Sequence, residues 1–370
     1  MIIGVPRERK THEYRVGLTP GSARELIAHG HHVLVESGAG AGVGAADADY
    51  ARVGATVAPT ATEVYANSEM IVKVKEPTVE ECKMLGPEQI LFAYLHLAPS
   101  PEIAQALIES GATAIAYETV TGPGGTLPLL APMSEIAGRL SIQAGAHCLE
   151  RPQGGEGILL SGVPGVAPGN VLIIGGGIVG DNAAHMARGM GADVTVLDRS
   201  IPRLRQLDDH YGGGIKCVYS TAQTIERYAL QADLVIGAVL IPGATAPRVV
   251  TADLIKRMKS GAVVVDVSID QGGCFETSRP TTHDEPTYVV DGVVHYCVTN
   301  MPGIVPRTAT HALNNATLPF VLALSDHGFR EAARLDPDLA RGVNVHAGAV
   351  THEAVARSLG LDYRPIDSLL

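Results

Sequence analysis

The chain has few of the patterns that mark export, membrane insertion or polyanion binding. Its five cysteines, Cys82, Cys148, Cys217, Cys274 and Cys297, are odd in number, widely spaced and without a CxxC pair. That argues against a disulfide framework and suits free thiols in a reducing cytosol, each a small buried hydrophobe and not a nucleophile. No window approaches the uncharged apolar length that spans a bilayer. The opening MIIGVPRERK is strand-like and lacks a signal peptide's basic start and apolar core. Dense Lys/Arg clusters are missing, and 28 basic against 39 acidic residues leave a net charge of −11. Nucleic acid and anionic membranes are therefore poor partners. No closely spaced His/Asp/Glu ligand set is visible, so no metal is expected. The expectation is a soluble, cytoplasmic protein that handles small molecules.

What is present is a large apolar fraction, 46% of 370 residues, enough for a sizeable core and two domains. The most informative stretch is VLIIGGGIVGDNAAHMARGMGADVTVLD, residues 171–198. Val171–Ile174 reads as a buried parallel strand. Gly175, Gly177 and Gly180 follow in the spacing GxGxxG, for a tight turn, a close backbone approach to a pyrophosphate, and close helix–strand packing. The helix through Met190 would aim its N-terminal N–H groups at the phosphates. A second strand, Val194–Leu197, ends on Asp198, whose carboxylate suits the adenosine ribose hydroxyls and repels a 2′-phosphate. NAD is expected over NADP, although Arg199 and Arg203 leave cations close by. Asp181 adds an acid at the helix start, favourable to the dipole but near the expected phosphates.

Apolar strand-like runs alternate with helix-like segments along the chain. Ile2–Val5, Val33–Glu36, Met70–Val74, Ile90–Leu95 and Thr113–Tyr117 read as strands, with Pro20–His29, Thr62–Asn67 and Pro101–Ser110 helical between them. A long helix is expected from Ser134 to about Arg151. Cys217–Tyr219, Leu234–Ile236, Ala262–Asp266, Thr287–Val290 and Val293–Val298 read as further strands. Thr310–Ser325 and Phe329–Leu335 look helical, and no strong strand signal follows residue 300. A terminal helical block without its own sheet must pack back on the first domain. The expected fold is α/β, with two doubly wound domains, the second a Rossmann-type NAD-binding domain (129–306) inserted in the first (1–128 and 307–370).

Ligands of open α/β sheets bind beyond the carboxyl ends of the strands. Arg15 lies in the loop after Ile2–Val5, Lys75 follows Met70–Val74, His96 follows Ile90–Leu95, and Asp270 closes AVVVDVSID. Two such domains would define a cleft between them. A guanidinium fork suits a carboxylate, an ammonium can polarise a second oxygen, and an imidazole moves a proton near neutral pH. These types together suit oxidation of a small α-substituted acid by hydride transfer. Each also has a plain reading: Arg15 a surface arginine, His96 a structural histidine, Lys75 paired with Glu76 or solvated, Asp270 a turn residue before Gly272-Gly273.

GVPRERKTHEYRVGLTP (Gly4–Pro20), KVKEP (Lys73–Pro77), FAYLHLAP (Phe92–Pro99) and LAPMSEIAGR (Leu130–Arg139) resemble the alanine dehydrogenase family. So do LIIGGGIVG, DLVIGAVLIPG, VVVDVSIDQGGCFE and the region Val298–Pro302. The resemblance covers almost the whole chain. It implies reversible oxidative deamination of L-alanine to pyruvate and ammonium, with NAD as cofactor. Arg15 would clamp the substrate carboxylate and Lys75 would contact the substrate. His96 would be the general acid/base, and Asp270 would position the imidazole and the attacking water. The family also places Ser134, Gly177, Ile178, Val179, Asp198, Arg203, Ser220, Val239, Leu240, Val267, Ser268, Ile269 and Asp270 around NAD, with Arg279, Val298, Thr299, Asn300 and Met301. It suggests a homohexamer. Gly17 and Val179 stand where relatives usually carry alanine, and Thr11-His12 where they carry two asparagines. The competing readings are a transhydrogenase-like NAD-binding subunit, a relative that generally lacks equivalents of His96 and Asp270, and an NAD-sensing module without turnover.

Overall fold

The computed structural model describes residues 1–239 and 246–370. Backbone contacts divide the chain into one unit of Met1–Met133 with Gly303–Leu370, and a second of Ser134–Pro302. The first unit begins with β1 (Ile2–Val5), β2 (His32–Glu36), β3 (Thr56–Ala58), β4 (Met70–Val72), β5 (Ile90–Ala93) and β6 (Thr113–Ala116). The second contains β7 (Asn170–Ile174), β8 (Asp193–Asp198), β9 (Lys216–Tyr219), β10 (Leu234–Gly237), β11 (Val263–Asp266), β12 (Thr287–Val290) and β13 (Val293–Tyr296).

Among the described residues, the second unit's sheet runs β12-β13-β11-β10-β7-β8-β9, parallel except for the β12/β13 pair. Its central strands β10 and β11 are buried at every residue, whereas edge strands β9 and β12 are part exposed. Near-continuous apolar runs are what a parallel strand covered on both faces requires. The order reverses between β7 and β10, and the glycine loop leaves β7 at that point. Gly175 has φ +103°, and a Cβ there would overlap the Ala238 carbonyl. A Cβ on Gly180 would overlap the Gly175 carbonyl, so the helix Ile178–Gly189 sits against the turn only because both residues are glycine.

In the first unit the expectation for the C-terminal block needs correction. The chain does return to the first sheet, but with strands as well as helices. β14 (Val343–His346) pairs antiparallel with β6, and β15 (Ala349–Val350) pairs with β14, giving the order β15-β14-β6-β5-β4-β1-β2-β3. The two are joined through Ala347 (φ +47°) and Gly348 (φ +77°), a hairpin turn with positive φ at both central residues. Four and two residues are too few for periodicity to register, and alanine in place of asparagine hides the turn. β3, three residues long at the other edge, was missed for the same reason. The terminal helix spans Pro306–Leu335 and breaks at Gly328 (φ +73°), between the two helical segments expected there. The helix expected from Ser134 spans Ala131–Cys148.

Gly180→Ala must push the helix off the glycine turn. It is expected to cost about 1–3 kcal/mol of stability and to weaken NADH binding, read by thermal unfolding and NADH fluorescence. Unchanged values for both would contradict this packing.

Candidate active site

The strand order of the first unit reverses between β1 and β4, and the charged residues gather there. Glu8, on the loop after β1, accepts the Val74 N–H at 2.7 Å just beyond β4. Lys73, 1% exposed, lies 3.3 Å from Glu8 and 3.0 Å from Glu81. Burial alone would discharge it, but the two carboxylates raise its pKa.

Arg15 is not a surface residue: it is 3% exposed. Its Nε and Nη2 donate to the two carboxylate oxygens of Glu13, each at 2.6 Å, and Nη1 points at Met133 Sδ at 3.1 Å. Burial opposes the charge, yet the Glu13 fork outweighs it and raises the arginine pKa. The loop bearing Arg15 is held from the far end of the chain. Asn314, buried on the terminal helix, accepts the Thr19 N–H at 2.7 Å and donates to the Gly17 carbonyl at 3.1 Å. Thr310 Oγ1 accepts the Val16 N–H. Gly17 itself presses on the Val72 carbonyl, where a Cβ would overlap, so the loop can close onto β4.

Lys75 has a side chain 15% exposed, with Nζ 3.6 Å from Glu76 Oε2. Glu76 also binds Lys10. Burial would raise the Glu76 carboxyl, but Lys75, Lys10 and His96 together bring it down to about 2. His96 stands in the left-handed region at φ +45°, an uncommon conformation for a non-glycine residue. Glu118 stabilises it: the carboxylate accepts the His96 N–H at 2.7 Å and the Leu95 N–H at 3.2 Å, and lies 3.8 Å from His96 Nδ1. The imidazole is 42% exposed and stacks on Tyr94, with centroids 5.9 Å apart and planes 5° apart. A buried structural histidine would look different. Arg15, Lys75 and His96 are thus gathered at one end of the first unit's sheet, each beside its own carboxylate.

In the second unit, Asp198 closes β8. Its Oδ2 accepts the Gly176 N–H and its Oδ1 the Ser200 N–H, both at 2.7 Å. A carboxylate has about four acceptor positions, so ribose hydroxyls can still be received. Gly177 offers the opening a pyrophosphate needs, since nothing lies within 4 Å of where its Cβ would be. Ser220 follows β9 and donates its N–H to the Asp198 carbonyl. Ser268 Oγ donates to the Val239 carbonyl at 2.7 Å. Asp270 is exposed on the 3-10 turn Val267–Gln271 after β11. That turn is fastened by Asp266, fully buried, which accepts from Ser278 Oγ, Cys274 N–H and Ser268 N–H. Arg279 lies over the Tyr288 ring at 4.2 Å. Val298 and Met301 are buried, Thr299 donates its N–H to Thr281, and Asn300 has φ +58°. Ser134 sits in the first turn of its helix. Leu240 lies outside the described residues.

Two family profiles match: "Alanine dehydrogenase/PNT, N-terminal domain" over residues 4–137 and "Alanine dehydrogenase/PNT, C-terminal domain" over residues 141–353. The chain belongs to the alanine dehydrogenase/PNT family. It is 59% identical to an alanine dehydrogenase of Halomonas elongata and 53% to one of Mycobacterium tuberculosis, over 100% of both chains in each case. A solved L-alanine dehydrogenase superposes with a TM-score of 0.94 at 52% identity, covering 97% of this chain and 99% of that one. A transhydrogenase of Sinorhizobium meliloti superposes at 0.83 with 25% identity, covering 96% and 100%.

Within this alanine dehydrogenase/PNT chain, sequence reading offered Glu76 as a partner of Lys75 but did not single out Glu13, Glu118, Lys73, Asp266 or Asn314 as supports. Glu13, Glu76 and Asp266 are close in sequence to what they hold, whereas Glu118 and Asn314 reach it from 22 and 295 residues away. Burial pushes the Cys82 thiol up to about 12 and Cys148 to about 11, as inert buried hydrophobes require. Among the described residues no group of three or more His, Cys, Asp or Glu could hold a metal, and no helix is long and apolar enough to cross a membrane.

Because Glu76 titrates below the ordinary 4.5 when folded, its stabilisation is complete above that pH and is lost as pH falls towards 2. Urea unfolding should find Glu76→Gln less stable than the parent by about 3 kcal/mol near pH 6. The gap should shrink steadily below pH 4.5; a gap constant with pH would refute the assignment.

Proposed function

We propose that the chain catalyses the reversible oxidative deamination of L-alanine: L-alanine, NAD⁺ and water give pyruvate, ammonium, NADH and a proton. The observation that carries this reading is the trio Arg15, Lys75 and His96 gathered at the carboxyl ends of the first unit's strands, each beside a carboxylate. Arg15 receives the substrate carboxylate, and Lys75 polarises the oxygen of the keto product. His96 is the base that takes a proton from the amine side and returns it in the reverse direction. Loss of hydride from Cα leaves an iminium carbon; Asp270 orients the water that adds to it. NAD, when bound, supplies the hydride acceptor.

Gly175, Gly177, Gly180 and the helix starting at Ile178-Val179 cradle the pyrophosphate, and Asp198 receives the ribose. Ser134, Arg203, Ser220, Val239, Val267–Ile269, Arg279 and Val298–Met301 complete the cofactor's surroundings. The transhydrogenase-like alternative is disfavoured, since that superposition comes at 25% identity against 52% for the L-alanine dehydrogenase. Unpaired cysteines support a reducing, cytosolic setting, and the family resemblance supports a homohexamer, measurable by light scattering.

The purified protein should form NADH from L-alanine and NAD, with glycine, L-serine, L-2-aminobutyrate, L-lactate and NADP as comparisons. Tight NADH binding without reduction by any of them would sink the dehydrogenase reading. His96→Ala should lower kcat by about 10²–10⁴-fold with NADH affinity unchanged; near-normal turnover would remove His96 from the chemistry.

A further inference from the structure

Asp181 enters the sequence as an acid close to an expected phosphate. In the fold its charge is directed elsewhere. Arg203, in the first turn of the helix Ile201–Tyr211, donates from Nη2 to Asp181 Oδ2 at 2.7 Å and from Nε to the Gly176 carbonyl at 2.6 Å. Tyr211, one end of the same helix, donates its hydroxyl to Asp181 Oδ1 at 2.6 Å. The N–H of Gly176 meanwhile binds Asp198. The two polar groups of one glycine therefore anchor the ribose-reading acid and the Arg203 guanidinium.

In dinucleotide folds an arginine near the ribose acid is what accommodates a 2′-phosphate. Arg203 has the position for that task, but its cation is already engaged by Asp181 and its direction set by Gly176. To reach a 2′-phosphate it would have to give up a charge-assisted hydrogen bond, and Asp181 would be left facing the new dianion. Resting on the NAD-binding reading above, we propose that Asp181 is a specificity-determining positioning residue: by holding Arg203 on the glycine loop it withholds that guanidinium from 2′-phosphorylated nucleotides. Asp198 excludes the phosphate by direct repulsion; Asp181 removes the cation that would relieve it. The Asp181 and Arg203 side chains are each 29% exposed, so the pair is partly buried and open to solvent on one side. A purely structural role would weaken both nucleotides alike or neither.

The test is titration of NADH and NADPH, followed by their fluorescence, into the full-length protein and its Asp181→Asn, Arg203→Gln and doubly substituted forms, at low and high salt. Asp181→Asn should tighten NADPH and narrow the ratio of the two Kd values by about tenfold, more at low salt than at high. The gain should vanish in the double variant. An unchanged ratio in Asp181→Asn would overturn the proposal, as would a loss of both nucleotides together. A gain that survives Arg203→Gln would assign the effect to Arg199, exposed beside Asp198, and equally overturn it. Parent protein that binds NADH but does not turn over L-alanine would refute the dehydrogenase reading and leave this one standing. Parent protein that binds neither nucleotide would refute both.

Discussion

Lys73 is removed from water and held between Glu8 and Glu81 at 3.3 and 3.0 Å. Taking ions out of water costs several kcal/mol each, and the cost is offset only when the geometry is good and the remaining polar atoms are satisfied. Here the two carboxylates hold the ammonium charged, while burial raises the Glu8 carboxyl and leaves Glu8 Oε2 without a hydrogen bond; the arrangement ties three parts of the first unit together. Glu8 brings the loop after β1 onto the Val74 N–H, and Glu81 closes a capping box with Thr78 on the helix Val79–Cys82. The chain leaving this knot carries Lys75 and Glu76, and the loop leaving it on the other side carries Arg15. The strand reversal alone would provide a crevice; the buried ammonium gives that crevice a definite shape.

The same device recurs at each functional group. Arg15 is forked by Glu13, Lys75 is beside Glu76, and the strained backbone of His96 is held by Glu118. In the second unit Asp198 is set by two backbone N–H groups, and Asp266 fastens the turn bearing Asp270. Groups so fixed need little reorganisation when a substrate arrives, which is where positioned catalysis gains over solution chemistry. The supports are mostly buried and the groups they hold include exposed ones, His96 and Asp270 among them.

Much of this was legible in the chain. The apolar runs of β1, β4 to β7, β10 and β11 were readable because a parallel strand covered on both faces must be apolar throughout. The glycine spacing was readable because a turn at φ +103° and a helix pressed on a carbonyl tolerate no side chain. Arg15, Lys75, His96 and Asp270 stood out because chemistry collects after such strands. The hairpin β14–β15 did not stand out, being too short for periodicity, and its absence made the terminal block look wholly helical.

Local sequence determined most of the strands and helices, the nucleotide loop and the inventory of reactive groups, since each shows as a residue pattern over a few positions. Tertiary structure decided the pairings between groups distant in the chain. Glu118 reaches His96 across 22 residues, Arg203 reaches Asp181 across 22, and Asn314 reaches Thr19 across 295. Such pairings follow from which strands and helices become neighbours, and a charge or amide in the linear chain carries no mark of the partner it will meet.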